Sequence, residues 1–185
     1  MMRRPTPPGI KRKRRRGSLS EYGKELREKQ KLKARYGLGE RQFKKYVKEI
    51  LDKTKRTQEG KEEDATILLI KRLESRLDSV VFRMGIVSSR ALARQLVSHG
   101  YFRVNGRNVD VPSYQVKKGN QISIKPQKAK KKIFQNLAEF IKKQKPPEWL
   151  QVDPQTFEAK VLSDPILDQE SLPAEIPTIF EFYSR

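Results

Sequence analysis

Through the first half of the chain, apolar residues recur at helical spacing between charged ones. Ser20 is suited to cap a helix in which Tyr22 and Leu26 stand at i, i+4 among Lys24, Arg27, Lys31 and Arg35, and Gly37 and Gly39 close it. A second helix is predicted from about Glu40, where Phe43, Tyr46, Val47, Ile50 and Leu51 form an i, i+3, i+4, i+7, i+8 stripe. That spacing assigns the aromatics to a core, not to a platform for stacking bases. After a polar stretch at 54–60, the pattern predicts one continuous helix over 62–84. Its second part puts Leu73, Leu77, Val80, Val81 and Met84 on one stripe, and Arg76 and Arg83 on another. Gly85 fits the position just past a helix end, and Ser88 or Ser89 would cap the next helix, SRALARQLVSH. There Arg90 and Arg94 share one face, and Leu92 and Leu96 another.

The period then changes from helical to strand-like. Residues 101–104 and 107–111 flank Asn105-Gly106, the two-residue signal for a type I′ hairpin, because both central positions need positive φ. A third strand at 121–124 follows the turn-forming Lys117-Lys118-Gly119-Asn120 and is expected to pair with the hairpin. The expected class is α+β, with short helices packed on a small antiparallel sheet.

Charge adds a partner to this picture. The 185 residues hold 42 Lys and Arg against 22 Asp and Glu, a net charge of +20, so the compact chain repels itself unless a polyanion neutralises it. Residues 1–60 carry +14, residues 61–132 carry +10 and residues 133–185 carry −4. The polyanion-facing surface is therefore expected from the first 132 residues, and a protein neighbour or a covered core from the acidic remainder. A membrane is not the expected partner: the longest apolar stretch, 65–70, is far short of the roughly 20 residues that cross a bilayer. The basic N-terminus is followed by charged residues, not by the apolar run of a secretory signal, and Pro5, Pro7, Pro8 and Gly9 interrupt any presequence helix. With no Cys, neither disulfides nor thiolate metal sites are expected, and no cofactor. Lys11, Arg12, Lys13, Arg14, Arg15 and Arg16 form a like-charge block, so residues 1–16 are expected to be a disordered arm that orders on RNA. The alternative is a localisation signal or a solvated tail.

The candidate site is the region from Arg76 to Arg107. A helix N-terminus, several guanidinium forks and a glycine turn that admits close backbone approach together suit phosphates. Side chains do not read the deep major groove of A-form RNA, so such a surface reads shape, phosphates and 2′-hydroxyls. Taken singly, Arg90 and Arg94 could be a solvated helix face and the hairpin purely structural; their conjunction favours recognition. His99, at the helix end, either caps carbonyls or touches RNA, and Asp78 reads as an ion-pair partner that orients arginines.

LESRLDSVVFRMG at 73–85, SSRALARQLVSHGYFRVNG at 88–106 and VDVPSYQVKKGNQISI at 109–124 closely resemble, in order, the RNA-binding domain named after the bacterial small-subunit ribosomal protein S four. That domain also occurs in pseudouridine synthases, a tyrosyl-tRNA synthetase and heat-shock proteins. The flanks narrow the choice: LSEYGKELREKQKLKARYGLGERQFKKYVKE at 19–49, PPEWLQVD at 146–153, SLPAEI at 171–176 and the terminal FEFYSR resemble the ribosomal family itself.

The resemblance implies a helical domain, 17–71 plus 164–185, closed by the C-terminal segment, with an RNA-binding domain, 72–163 and core 73–125, inserted into it. It implies a primary binder of small-subunit ribosomal RNA that nucleates assembly of the subunit body in the cytoplasm. Ribosomal proteins S five and S three would be its neighbours, beside the channel through which mRNA enters, with an influence on decoding accuracy. Neither homo-oligomer nor membrane is expected. Carried over by position, the RNA-facing set is Arg76, Asp78, Arg83, Ser89, Arg90, Arg94, Gln95, His99, Asn105 and Gly106, to which the hairpin adds Arg107. Many bacterial members carry a longer N-terminal segment, in some with metal-binding cysteines; here a short basic arm stands in its place and a cluster of that kind is not expected. An RNA-modifying or tRNA-charging enzyme would need a catalytic domain for which the sequence has no glycine-rich phosphate loop and no His/Cys cluster. A free-standing RNA chaperone is the other alternative, and the acidic C-terminal stretch argues for a fixed protein neighbour instead.

Overall fold

The computed structural model describes residues 19–56, 65–129, 134, 146–153, 156–165 and 174–184. The expected basic arm, with Lys11 to Arg16, lies outside the described residues. Helix α1, Glu21–Arg35, starts where Ser20 Oγ accepts the Gly23 N–H at 3.2 Å. It stops at Tyr36, where Gly37 takes φ +60°. Helix α2, Glu40–Arg56, buries Phe43, Tyr46, Val47 and Ile50, the stripe expected of it.

The single helix expected over 62–84 is corrected by the structure, which breaks it in two. Helix α3, Ala65–Glu74, and helix α4, Leu77–Arg83, are separated by Ser75 and an extended Arg76 with φ −68° and ψ 140°. The cause is a strand-like exchange with residues 112–116. Val116 N–H donates to Ser75 O at 2.8 Å, Leu77 N–H to Tyr114 O at 2.9 Å and Asp78 N–H to Pro112 O at 3.2 Å. These partners replace the i→i−4 ladder that a continuous helix would need. Leu73 and Leu77, read as one stripe, consequently enter different cores.

Gly85, with φ +75°, follows α4, and Ser89 caps α5, Arg90–Ser98, by accepting the Leu92 N–H at 3.2 Å. The hairpin forms as expected: β1, Phe102–Val104, pairs antiparallel with β2, Arg107–Val109, and Asn105 and Gly106 take φ of +49° and +77°. Strand β3, Gln121–Ile124, pairs with β1 and leads into the short α6, Pro126–Ala129. Two strands were not anticipated, β4, Leu150–Val152, and β5, Ala159–Val161. They extend the sheet to the antiparallel order β2-β1-β3-β5-β4. Helix α7, Ile176–Ser184, ends the described chain.

The fold is α+β with two hydrophobic clusters. The first gathers α1, α2, α3 and α7 around Leu32, Phe43, Val47, Leu69, Leu73, Ile176 and Ile179. It draws on both ends of the described chain. The second uses the stretch between: α4 and α5 cover one face of the sheet through Leu77, Val81, Met84, Leu96, Val97, Phe102 and Ile122. The alternation of the strands leaves the other sheet face polar, with Asn108, Arg103 and Ser123 in one cross-strand row and Gln121, Lys160 and Gln151 in the next.

Candidate nucleic-acid interface

Where the two clusters meet, one carboxylate collects four hydrogen bonds. Glu74, at the end of α3, is fully buried. It accepts Arg83 Nε and Nη2 at 2.9 Å each, Arg90 Nη2 at 2.9 Å and the Tyr36 hydroxyl at 2.6 Å. Burial pushes this carboxyl up, but the hydrogen bond from Arg83, the charges of Arg90 and Arg83 and the Tyr36 hydroxyl outweigh it, so Glu74 stays below the usual carboxylate range. The same geometry acts in reverse on Tyr36, which burial and the neighbouring carboxylate push up. The Arg90 guanidinium lies between two rings, 4.4 Å from the Tyr36 centroid and 4.7 Å from that of Phe82. Tyr36 belongs to the helical cluster, whereas Arg83 and Arg90 flank the second core, so Glu74 ties the two together.

A second buried pair stands beside it. Arg76 donates from Nε to Asp78 Oδ1 at 2.9 Å, from Nη2 to Asp78 Oδ2 at 2.5 Å and from Nη1 to the Tyr46 hydroxyl at 2.9 Å. Asp78 also accepts the Ser79 N–H at 2.9 Å. Burial opposes the charge on Arg76, yet the two-pronged bond to Asp78 raises its pKa above the ordinary arginine value.

These contacts divide the expected RNA-facing set. Arg76 and Asp78, at 1% and 4% exposure, are inside the protein and are not available to RNA in this structure. Arg90, expected to aim its guanidinium outward with Arg94, is committed instead to Glu74, and so is Arg83 of the RNA-facing set, with side-chain exposures of 11% and 23%. Asp78 does orient an arginine, as its sequence context suggested.

The rest of the set is at the surface. Arg94 and Gln95 are exposed on α5, and Arg94 Nη1 reaches Gly37 O at 2.7 Å, which fixes α5 against the turn between α1 and α2. Ser89 is exposed but spends its hydroxyl on the cap. His99 is the exposed C-cap of α5; its N–H donates to Gln95 O at 2.9 Å. Asn105, Gly106 and Arg107 form the exposed hairpin tip, where Asn105 exchanges bonds with Gln121, accepting its N–H on Oδ1 at 2.8 Å.

Sequence reasoning missed three cations here. Lys128 Nζ donates to His99 O at 3.2 Å and sits 4.4 Å over the Tyr101 ring, and Lys125 Nζ lies against Gly100. Both therefore stand by the C-terminal end of α5. Arg103, between buried neighbours in β1, projects from the polar sheet face and donates from Nε to Asn108 Oδ1 at 3.2 Å. The alternating burial of β1 is the signal that could have found it. Lys125 and Lys128 needed the path of the chain after β3. Among the described residues, no group of His, Cys, Asp and Glu could hold a metal ion, and no helix is long and apolar enough to cross a membrane.

Residues 75–122, which hold the guanidinium groups, the α5 face and the hairpin, match the S4 domain family, and residues 1–68 match the family described as Ribosomal protein S4/S9 N-terminal domain. Similarity then runs through the whole chain. It is 43% identical over 183 residues to the Small ribosomal subunit protein uS4 of Halothermothrix orenii, covering 99% of this chain and 84% of that one. The protein of the same name in Thermotoga petrophila is 39% identical over 184 residues, and that of Thermodesulfovibrio yellowstonii 41% over 183, at the same coverages of 99% and 84%. The chain belongs to the small ribosomal subunit protein uS4 family.

Proposed function

We propose that this chain is a structural constituent of the small ribosomal subunit that binds its ribosomal RNA directly, without catalysis. The observation that carries the reading is the exposed set formed by Arg94, Gln95 and His99 on α5 and the Asn105-Gly106-Arg107 tip, with the half-buried Lys125 and Lys128 beside the helix end, in a chain of this family. Guanidinium and ammonium groups around a backbone turn address phosphates, and the amide-bearing side chains address 2′-hydroxyls. Arg76, Asp78, Arg83 and Arg90 serve that surface from behind, by fixing α4 and α5 against the helical cluster.

The finer reading follows from the family. Early binding at a multi-helix RNA junction nucleates the subunit body, with residues 17–71 and 164–185 as one unit and 72–163 as the unit inserted into it. Lys11 to Arg16 add long-range attraction. Ribosomal proteins S five and S three and incoming mRNA adjoin the chain in the cytoplasmic ribosome, and contact with S five tunes accuracy.

Filter binding to a small-subunit RNA junction across a salt series tests the interface. Arg94→Ala with Arg107→Ala is expected to weaken binding by about 1–3 kcal/mol and to reduce the salt slope by roughly one unit for every phosphate no longer neutralised. An unchanged slope would remove these two arginines from the interface.

A further inference from the structure

A cleft of about 470 Å³ lies between α2 and α3 on one side and the turn at residues 115–118 on the other. It is not part of the surface assigned to RNA. On α3 it uses Leu68, Lys71 and Arg72 with the following Ser75, an i, i+3, i+4, i+7 stripe that excludes Glu74. Its floor is aliphatic, from Ile50, Leu68 and Val116. Its rim is cationic. The two rim carboxylates are already matched, Glu49 to Arg72 at 3.2 Å and Asp164 to Lys71 at 2.8 Å. Lys117 and Lys118, both exposed, have no carboxylate partner among the described residues, and Arg72 Nε is buried without a hydrogen bond.

We infer that this cleft docks an acidic, amphipathic segment of a neighbouring protein. Complementarity selects this occupant: apolar side chains would cover Leu68, the half-buried member of the aliphatic floor, while carboxylates meet Lys117 and Lys118. A nucleic-acid strand fits less well. The lining contains no aromatic ring on which a base could stack, and a phosphodiester chain brings nothing apolar to set against Leu68. The inference stands apart from the RNA-binding reading, since it shares no residue with that surface.

The test is fluorescence anisotropy of the full chain with a labelled eight-residue peptide of alternating Leu and Glu pairs, and with the same peptide carrying Ser for Leu. The basic N-terminal block attracts any acidic peptide, so the readout is a difference between two variants of equal net charge. Lys117→Glu with Lys118→Glu alters the rim; Lys44→Glu with Lys48→Glu alters an exposed stretch of α2 that does not line the cleft. The rim pair should weaken the Leu/Glu peptide at least about ten-fold and the α2 pair less than about two-fold. The Ser/Glu peptide should bind both variants alike. Equal losses in the two variants, no binding at all, or displacement of the Leu/Glu peptide from the wild-type cleft by a single-stranded RNA oligonucleotide would each overturn the inference.

Discussion

Glu74 shows how a single side chain can decide what its neighbours do. Taking a carboxylate out of water is costly unless charge and hydrogen bonds replace the solvent, and here two guanidinium groups and a phenol do so. Glu74→Gln leaves Arg83 and Arg90 partly buried against a neutral amide. It should destabilise the fold by about 3–5 kcal/mol, measured by urea unfolding at neutral pH. The pH dependence has a definite sign. The folded-state pKa of Glu74 is depressed, so its contribution is fully present above the unfolded value near 4.5 and is lost as pH falls through the folded value.

Glu40 behaves the same way. Burial raises its pKa, but hydrogen bonds from Lys29, Tyr183 and Lys33 bring it down to about 2. Acid unfolding should therefore set in between pH 4.5 and about 2, and Glu74→Gln should flatten that limb of the stability profile. A variant with an unaltered acid limb would show that the Glu74 network is not what titrates.

At the scale of elements, what could be read in the sequence was what neighbouring residues settle among themselves. The Ser20 and Ser89 caps, the α2 stripe and the Asn105-Gly106 turn rest on contacts a few residues apart, and each is found where it was expected. The interruption at Ser75 and Arg76 was hidden because apolar spacing runs unbroken across it, while its cause lies at residues 112–116. Glu74 was overlooked as the arginine partner because Arg83, Arg90 and Tyr36 are 9, 16 and 38 positions away. Strands β4 and β5 are three residues each, too short for a periodic signal; β5 is held in register by β3, and β4 by β5. The candidate site suffered most from this, since pattern alone does not separate an arginine that faces solvent from one that finds a carboxylate.

Local signals can be tested locally. Gly106→Val forces a β-branched residue into φ +77° and should cost about 1–2 kcal/mol with loss of amide protection across β1 and β2. Ser89→Ala removes the cap of α5 and should cost about 1 kcal/mol. Both are measurable by chemical denaturation with hydrogen exchange.

Across the whole molecule, the two clusters depend on contacts distant in sequence. Helix α7 returns to α1 and α2: Phe182 lies 5.5 Å from the Tyr22 ring, Tyr183 lies 6.2 Å from Phe43 and donates to Glu40 Oε1 at 2.7 Å. Ile176 and Ile179 are buried in the first cluster. Replacing both by Ala should cost several kcal/mol, on the order of 2–5 for each, and unfold the α1–α3 cluster before the sheet, as hydrogen exchange would report. The turn between α1 and α2 would then no longer hold Arg94 through Gly37 O. RNA affinity should fall even though no proposed RNA-binding residue has been altered.

The central claim is that the chain is a stoichiometric part of the small subunit. Sucrose-gradient sedimentation of lysate from cells that make it, followed by quantitative detection of this chain against another small-subunit protein, measures that directly. The account predicts co-migration with the small subunit and with whole ribosomes at one copy per particle, retained in high salt. A chain found mainly at the top of the gradient, or bound to a minor fraction of particles and released by salt, would contradict it.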